Sequence, residues 1–369
     1  MNFEFSQEQI LLQEEIRRQI SGACPLERVM KVMDGDTTER LKIWREFAEL
    51  GYQATAMPED LGGYGLGYLE LCLLAQELGR HVVPIPMISS IYLASEALLL
   101  HGSEAQKEKY LPLIVSGERV ASLAWSEPGR RVANGNIATR FADGMLSGEK
   151  LPVADADIAD LFVVLAQSEG QSRFCLVDGS DSSLATEPLA VIDEAWPHAR
   201  LQMSGTPAEL LPVNEVDVDE VFYRAAVLVA FEQIGGAQAC LHSAIDYAQE
   251  RVVFGRSVAS FQAIKHKLAD VYAATELALS HAYYASWALQ QNDKSLRRAA
   301  AGARIAATRA YELASAELIQ VHGGMGYTWE SHCHLFYKRS RMLALALDSE
   351  PTWQRRLVEQ LCMREEKAA

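Results

Sequence analysis

Cysteine is sparse and unpaired in this 369-residue chain: Cys24, Cys72, Cys175, Cys240, Cys333 and Cys362 stand singly in apolar or helical context, with no CxxC pair. That spacing argues against a disulfide framework, a dithiol redox motif and a zinc site, and it suits a reducing compartment. Basic residues are also in short supply. There are 34 Lys and Arg against 49 Asp and Glu, a formal charge of −15, and no basic run offsets it locally. An acidic surface repels phosphate backbones and anionic lipid, so neither nucleic acid nor a membrane is an expected partner. No segment is long and apolar enough to span a bilayer, and Met1-Asn2-Phe3-Glu4-Phe5 lacks the basic start and apolar stretch of a secretory signal. A cytoplasmic location is the expectation.

What is present is an ordinary globular composition, 49% hydrophobic and 22% charged, with enough chain for two or three domains. The texture changes twice. From Ser6 to about Gly117 it is helical: Ser6 with Gln9 forms a capping-box pair, Ile10, Leu11, Ile16 and Ile20 recur near the helical period, and further helices are predicted over Leu41 to Leu50 and Leu69 to Leu78. From about Arg119 to Val218 short apolar runs alternate with turn residues. Asp143-Gly144 is a two-residue hairpin signal, and Leu161 to Leu165 and Phe174 to Val177 have strand length. From Asp219 the helical pattern returns in long elements: Asp219 to Phe254, Phe261 to Gln290 and Leu296 to Val321 contain no proline. The expected architecture is mainly α with a central β domain: an N-terminal helical domain over 1–118, a small β-barrel domain over 119–218 and a C-terminal four-helix bundle over 219–369. Gly235-Gly236 inside the first long helix costs helix propensity, and either a close backbone approach or simple tolerance accounts for it.

Several local motifs have competing readings. Gly62-Gly63-Tyr64-Gly65-Leu66-Gly67 follows a proline-containing loop and no strand, so it lacks the context of a dinucleotide fingerprint. His322-Gly323-Gly324-Met325-Gly326 resembles an esterase oxyanion loop, but the chain has no Gly-x-Ser-x-Gly elbow. It follows a long helix, where glycines cap the helix or let backbone groups approach a ligand. His332-Cys333-His334 is the densest cluster of metal-ligand types, yet adjacent residues on a helix point in different directions, so a helix start with a buried thiol is expected and no metal is assigned. Arg251-Val252-Val253-Phe254-Gly255-Arg256 ends one long helix and Phe261-Gln262-Ala263-Ile264-Lys265-His266 begins the next. Those arginines either complement a helix dipole or reach a phosphate with their planar donors.

Taken together, the order of the three regions and these stretches resemble the acyl-CoA dehydrogenase family over almost the whole chain. The most specific matches are Arg251 to Arg256 running into Phe261 to His266, and Gln320-Val321-His322-Gly323-Gly324-Met325-Gly326-Tyr327. Weaker ones are Pro58-Glu59 through Gly63, Ser126-Glu127-Pro128-Gly129, and Gly148-Glu149-Lys150 followed by Ala159-Asp160. The resemblance implies removal of the α-hydrogen of an acyl-CoA as a proton and of a β-hydrogen as hydride to FAD, leaving a trans-2-enoyl thioester. That chemistry needs a carboxylate made more basic by an apolar pocket, and donors that polarise the thioester carbonyl. In such proteins a neighbouring subunit supplies much of the contact to the pyrophosphate and adenine half of FAD. Carried over residue by residue, this implies FAD contacts at Arg251, Phe254, Gln262, Gln320, Gly323 and Gly324.

Elsewhere the chain departs from the family pattern. After Glu127-Pro128-Gly129 the usual small Ala-Gly-Ser-Asp continuation is replaced by Arg130-Arg131-Val132-Ala133, and Pro152 and Ala154 stand where many relatives carry a tryptophan and a threonine against the flavin. The usual glutamate base falls on Leu347, and the alternative base position on the first bundle helix falls on Ala225. Asp348, Glu232 and Glu350 are the nearby carboxylates, with Asp348 and Glu232 the candidate bases. The expectation is a subunit of a heteromeric acyl-CoA dehydrogenase that supplies FAD contacts to a second, glutamate-bearing chain, with electron-transfer flavoprotein as acceptor. The alternatives are a self-sufficient homo-oligomer using Asp348 or Glu232, and a flavin-free scaffold subunit.

Overall fold

The structure is a computed structural model describing residues 6–129, 136–212 and 217–366, with side chains through Cys362. Its helices are α1 (Gln7–Ala23), α2 (Leu26–Met33), α3 (Thr37–Glu49), α4 (Tyr68–Arg80), α5 (Glu96–His101), α6 (Glu104–Val115), α7 (Val218–Glu250), α8 (Gln262–Gln290), α9 (Leu296–His322), α10 (Cys333–Leu345) and α11 (Glu350–Glu366). Its strands are β1 (Ala121–Ala124), β2 (Arg140–Ala142), β3 (Met145–Ala154), β4 (Leu161–Ser168), β5 (Gln171–Asp178), β6 (Leu184–Pro188), β7 (His198–Pro207), β8 (Glu209–Leu210), β9 (Val252–Val253) and β10 (Arg256–Ser257). Helices run to the end of α6, sheet begins at β1, and helices resume at α7, as the change of texture predicts. The chain forms two compact units: Tyr68–Val83 and Ala226 onward with the residues up to Val29, and Met30–Gly67 with Pro84–Ala225.

The first unit is a bundle whose entry is set by its caps. Ser6 accepts from the Gln9 amide while the Gln9 side chain accepts from the Ser6 amide, satisfying two otherwise orphaned donors of α1. The glycine pair of α7 is explained by close approach. A Cβ on Gly235 would lie 1.8 Å from the Gln76 carbonyl oxygen of α4, and one on Gly236 would lie 2.4 Å from the Tyr311 ring of α9. Helix α7 therefore runs between α4 and α9 with no room for a side chain at either position. Deep in this bundle the Arg304 guanidinium donates to Gln233 Oε1 at 2.5 Å, to Thr308 Oγ1 at 2.6 Å and to the Leu343 carbonyl. It thereby ties α7 and α9 to the end of α10.

The second unit is built on an eight-stranded sheet, curled as a half-barrel, in the order β6-β7-β3-β2-β4-β5-β8, with β1 pairing in parallel on β4. Asp143 and Gly144 both take positive φ, 51° and 77°, and join β2 to β3, so the two-residue hairpin forms where its turn chemistry places it. Seven of the eight residues of β4 are buried, which explains why it reads as a continuous apolar run and not an alternating one. Inside the curl, Leu146, Val153, Phe162, Val164, Cys175, Val177 and Leu201 form the core. Helix α3 is fixed to the sheet by Arg40, which is 1% exposed and pairs with Asp155 and, at 3.0 Å, with Asp157. A π-helical stretch, Met87–Ser95, runs into α5 with all nine residues buried. Its Ser90 hydroxyl donates to the Ala121 carbonyl at 2.7 Å.

One expected helix is shorter than its pattern. The proline-free run from Asp219 to Phe254 predicts helix throughout, but α7 stops at Glu250 and β9–β10 forms a small antiparallel hairpin.

Candidate functional site

The hairpin is closed by a turn at Phe254-Gly255, where both residues take positive φ, 50° and 76°. Val253 pairs with Arg256, and the Val258 amide donates to the Arg251 carbonyl at 2.8 Å. A phenylalanine in left-handed backbone is costly, and here its ring is 96% exposed. Arg251 sits at the junction of α7 and the hairpin, its amide donating to the Tyr247 carbonyl at 2.9 Å and its side chain exposed. Arg256 lies over the Phe261 ring at 4.0 Å. Gln262 opens α8, so its exposed carboxamide stands at the positive end of a long helix, 3.0 Å from His266 Nε2.

The second segment is the end of α9. Gly323 takes φ 61° and ψ −134°, a conformation that needs glycine, and its amide donates to the Gln320 and Ile319 carbonyls. Side chains added at Gly323 or Gly324 would meet nothing within 4 Å, so these backbones face open space, and Gln320 is exposed beside them. Met325, Tyr327 and Trp329 follow at 50%, 84% and 60% exposure. The two segments are joined by a contact that the sequence reading missed. Tyr247 stacks on His322 with ring centroids 4.1 Å apart and planes 21° from parallel, and its hydroxyl donates to the His322 carbonyl at 3.3 Å. One signal was available: Tyr247 lies four residues before Arg251, on the same helical face.

The six residues Arg251, Phe254, Gln262, Gln320, Gly323 and Gly324 thus all fall in one unit, at the two ends of helices that the Tyr247–His322 stack links or at the start of the next helix. The six comprise a guanidinium fork, two carboxamides, one of them at a helix N-terminus, an exposed aromatic ring and an open glycine backbone; planar guanidinium donors are suited to phosphate oxygens.

At the two positions where the family resemblance implies a base, Leu347 and Ala225 are both fully buried. Asp348 has φ 84°, and its Oδ1 accepts from the Ser349 amide at 2.8 Å and from Thr352 Oγ1 at 2.9 Å, so the carboxylate serves the start of α11. Glu232 is 5% exposed on α7. Its backbone carbonyl lies 1.9 Å from where a Cβ on Gly79 would sit. Glu350 accepts from Arg309 Nε at 2.8 Å.

In the second unit Glu127 and Lys150 form a buried pair at 2.8 Å, and Glu127 also accepts from the Ala138 and Thr139 amides at 2.6 and 2.9 Å. Burial alone would raise the Glu127 carboxyl, but the Lys150 ammonium and the two amides outweigh it and bring the pKa from 4.5 down to about 2. Burial pushes Lys150 down to about 8. Arg130 to Ala133 lie outside the described residues, while Pro152 and Ala154 end β3.

His332 and Cys333 behave as a helix start, with Cys333 buried at the first position of α10. Among the described residues no group of three or more His, Cys, Asp or Glu side chains could hold a metal ion. Five of the six thiols are buried, and burial pushes Cys72 and Cys240 well above the usual thiol range and Cys175 up to about 12. Among the described residues no helix is long and apolar enough to cross a membrane.

Comparison with known proteins finds similar ones over nearly the whole chain. Residues 6–118 match the acyl-CoA dehydrogenase N-terminal domain and residues 217–347 the acyl-CoA dehydrogenase C-terminal domain. The chain is 32% identical over 356 residues to the acyl-CoA dehydrogenase IpdE2 of Mycobacterium tuberculosis, covering 95% of this chain and 96% of that one. Among solved structures, the ChsE4-ChsE5 complex from Mycobacterium tuberculosis matches with TM-score 0.89 at 23% identity, covering 98% of this chain and 99% of that one. The Tcur3481-Tcur3483 steroid ACAD matches with TM-score 0.87 at 27% identity, covering 98% and 99%.

Proposed function

This chain belongs to the acyl-CoA dehydrogenase family, a family of FAD-dependent oxidoreductases, and from that premise we propose that it is the subunit of a heteromeric enzyme that grips FAD without supplying the catalytic base. FAD, when bound, takes up the hydride that leaves the β-carbon of the acyl-CoA. The contribution of this chain is positional. Arg251 neutralises and orients the pyrophosphate, Gln262 and Gln320 donate to it or to the adenine, the open backbone at Gly323-Gly324 admits close approach, and Phe254 covers the base. A glutamate-bearing homologous subunit abstracts the α-proton, and electron-transfer flavoprotein takes the electrons onward. The three stretches 1–118, 119–218 and 219–369 are assigned as the domains of this arrangement.

The observation that carries the reading is a juxtaposition. The donor set is exposed, Phe254 at 96%, while leucine and alanine stand fully buried at the two positions where the family resemblance implies a base. The likeness to two-subunit complexes supports it further. The test is expression alone and together with a glutamate-bearing homologue. The pair is expected to co-purify yellow, absorbing near 450 nm, and to bleach on addition of an acyl-CoA; the lone chain is expected to be colourless and inert. A lone chain holding one FAD per copy and reducing it with substrate overturns the proposal.

A second reading, a self-sufficient homo-oligomer, is favoured by the presence of a buried carboxylate, Glu232, 5% exposed on α7. Glu232→Gln and Asp348→Ala separate the two. A true base abolishes flavin reduction and leaves FAD bound, whereas in the heteromer neither substitution stops turnover.

A further inference from the structure

The donors assigned to the cofactor's tail come from two segments that a side-chain contact joins. Tyr247 lies one turn before Arg251 on α7; His322 lies two residues after Gln320 and immediately before Gly323. The two rings, 75 positions apart in sequence, stack at 4.1 Å, and the tyrosine hydroxyl reaches the His322 carbonyl. His322 is itself held: its Nδ1 is 2.9 Å from the Leu318 carbonyl, an acceptor only, so Nδ1 carries the proton and the ring is fixed against the last turn of α9. The flanking segments are a two-residue hairpin and a helix end opening on glycines.

We infer that Tyr247 and His322 are a positioning pair, setting the distance between the hairpin that carries Arg251 and Phe254 and the turn that carries Gln320, Gly323 and Gly324, so that both groups of donors meet one dinucleotide. The inference rests on the cofactor reading above. The pair itself touches no ligand. Its effect is preorganisation: donors already spaced for a pyrophosphate and its base lose less freedom on binding than donors on two independent segments.

The experiment is reconstitution of the flavin-stripped two-subunit complex with FAD, followed by flavin fluorescence, with the melting temperature of the stripped complex recorded for each variant. His322→Ala is expected to weaken FAD about tenfold, the scale of a lost aromatic pair and its attendant order. His322→Phe keeps a stacking face and stays within about twofold, and Tyr247→Phe, which loses only the hydroxyl, falls between them at about threefold. Melting temperatures stay level across the three. The decisive readout is coupling: Arg251→Ala costs less affinity in the His322→Ala background than in the wild type, because a displaced arginine has less to lose. Wild-type FAD affinity in His322→Ala, or effects of the two substitutions that simply multiply, overturns the inference. If Arg251→Ala alone leaves FAD affinity unchanged, it is the cofactor reading that fails.

Discussion

An exposed guanidinium at the end of a helix contributes little to folding and much to an anionic ligand. Arg251→Ala should therefore leave the melting temperature of the chain nearly unchanged, since surface substitutions stay within about 0.5 kcal/mol, and should weaken FAD at least tenfold, about the loss of one charge-assisted hydrogen bond. Arg251→Lys should recover only part of it, because an ammonium has no planar fork. Equal affinities for wild type and Arg251→Ala would sink the assignment. Glu127 shows the opposite balance, a charge whose role is internal. Its folded pKa of about 2 lies below the ordinary 4.5, so its contribution to stability is fully present above pH 4.5 and is lost as pH falls through about 2. Glu127→Gln should lower the denaturant midpoint at pH 7 and flatten the decline of that midpoint over the acid range. Parallel wild-type and variant curves between pH 7 and 3 would show that the pair carries no such linkage.

Glycines give the element scale its sharpest contrast. Gly235→Ala places a methyl group on the Gln76 carbonyl, backbone against backbone, and should destabilise the bundle by about 3 kcal/mol, read as a lowered denaturant midpoint. Gly324→Ala meets open space, so it should fold as the wild type does and show its effect only in FAD affinity. These elements also show how far the sequence carries. The Ser6 cap, the Asp143-Gly144 hairpin, the proline-free helices over Phe261 to Gln290 and Leu296 to Val321 and the change of texture at about Arg119 and Val218 rest on local chemistry that is visible in order along the chain, and helix and strand follow them. The β9–β10 hairpin was not visible. Its turn places phenylalanine in left-handed backbone, where turn chemistry calls for asparagine or glycine, so the stretch reads as more helix. The π-helical run Met87–Ser95 is buried on every side and carries no amphipathic period to mark its winding. At the candidate site, the family resemblance marks the six residues proposed to contact FAD, but nothing in the sequence marks the Tyr247–His322 contact, because two residues 75 positions apart are brought together by the packing of α7 on α9.

At the scale of the whole molecule, the question is how many flavins such a chain brings to an assembly. In the proposed enzyme each flavin is held by one subunit together with the donor segments of its neighbour. In a mixed pair two such sites are conceivable. One uses the donor segments of this chain, with Arg251, Gln262 and Gln320, and the body of the glutamate-bearing partner. The other uses the body of this chain, where Pro152 and Ala154 end β3 in place of the family's tryptophan and threonine and where both base positions are apolar. On the proposed division of labour, only the first would have both a grip on the tail and a surface for the ring. The mixed complex should therefore carry one FAD for every two chains, half the content of a homo-oligomeric relative, measured as absorbance near 450 nm against protein concentration in the co-purified complex. Arg251→Ala in this chain should strip that single flavin. Two flavins per pair would mean that the body of this chain seats a ring despite its altered strand, and the division of labour between the subunits would then be wrong.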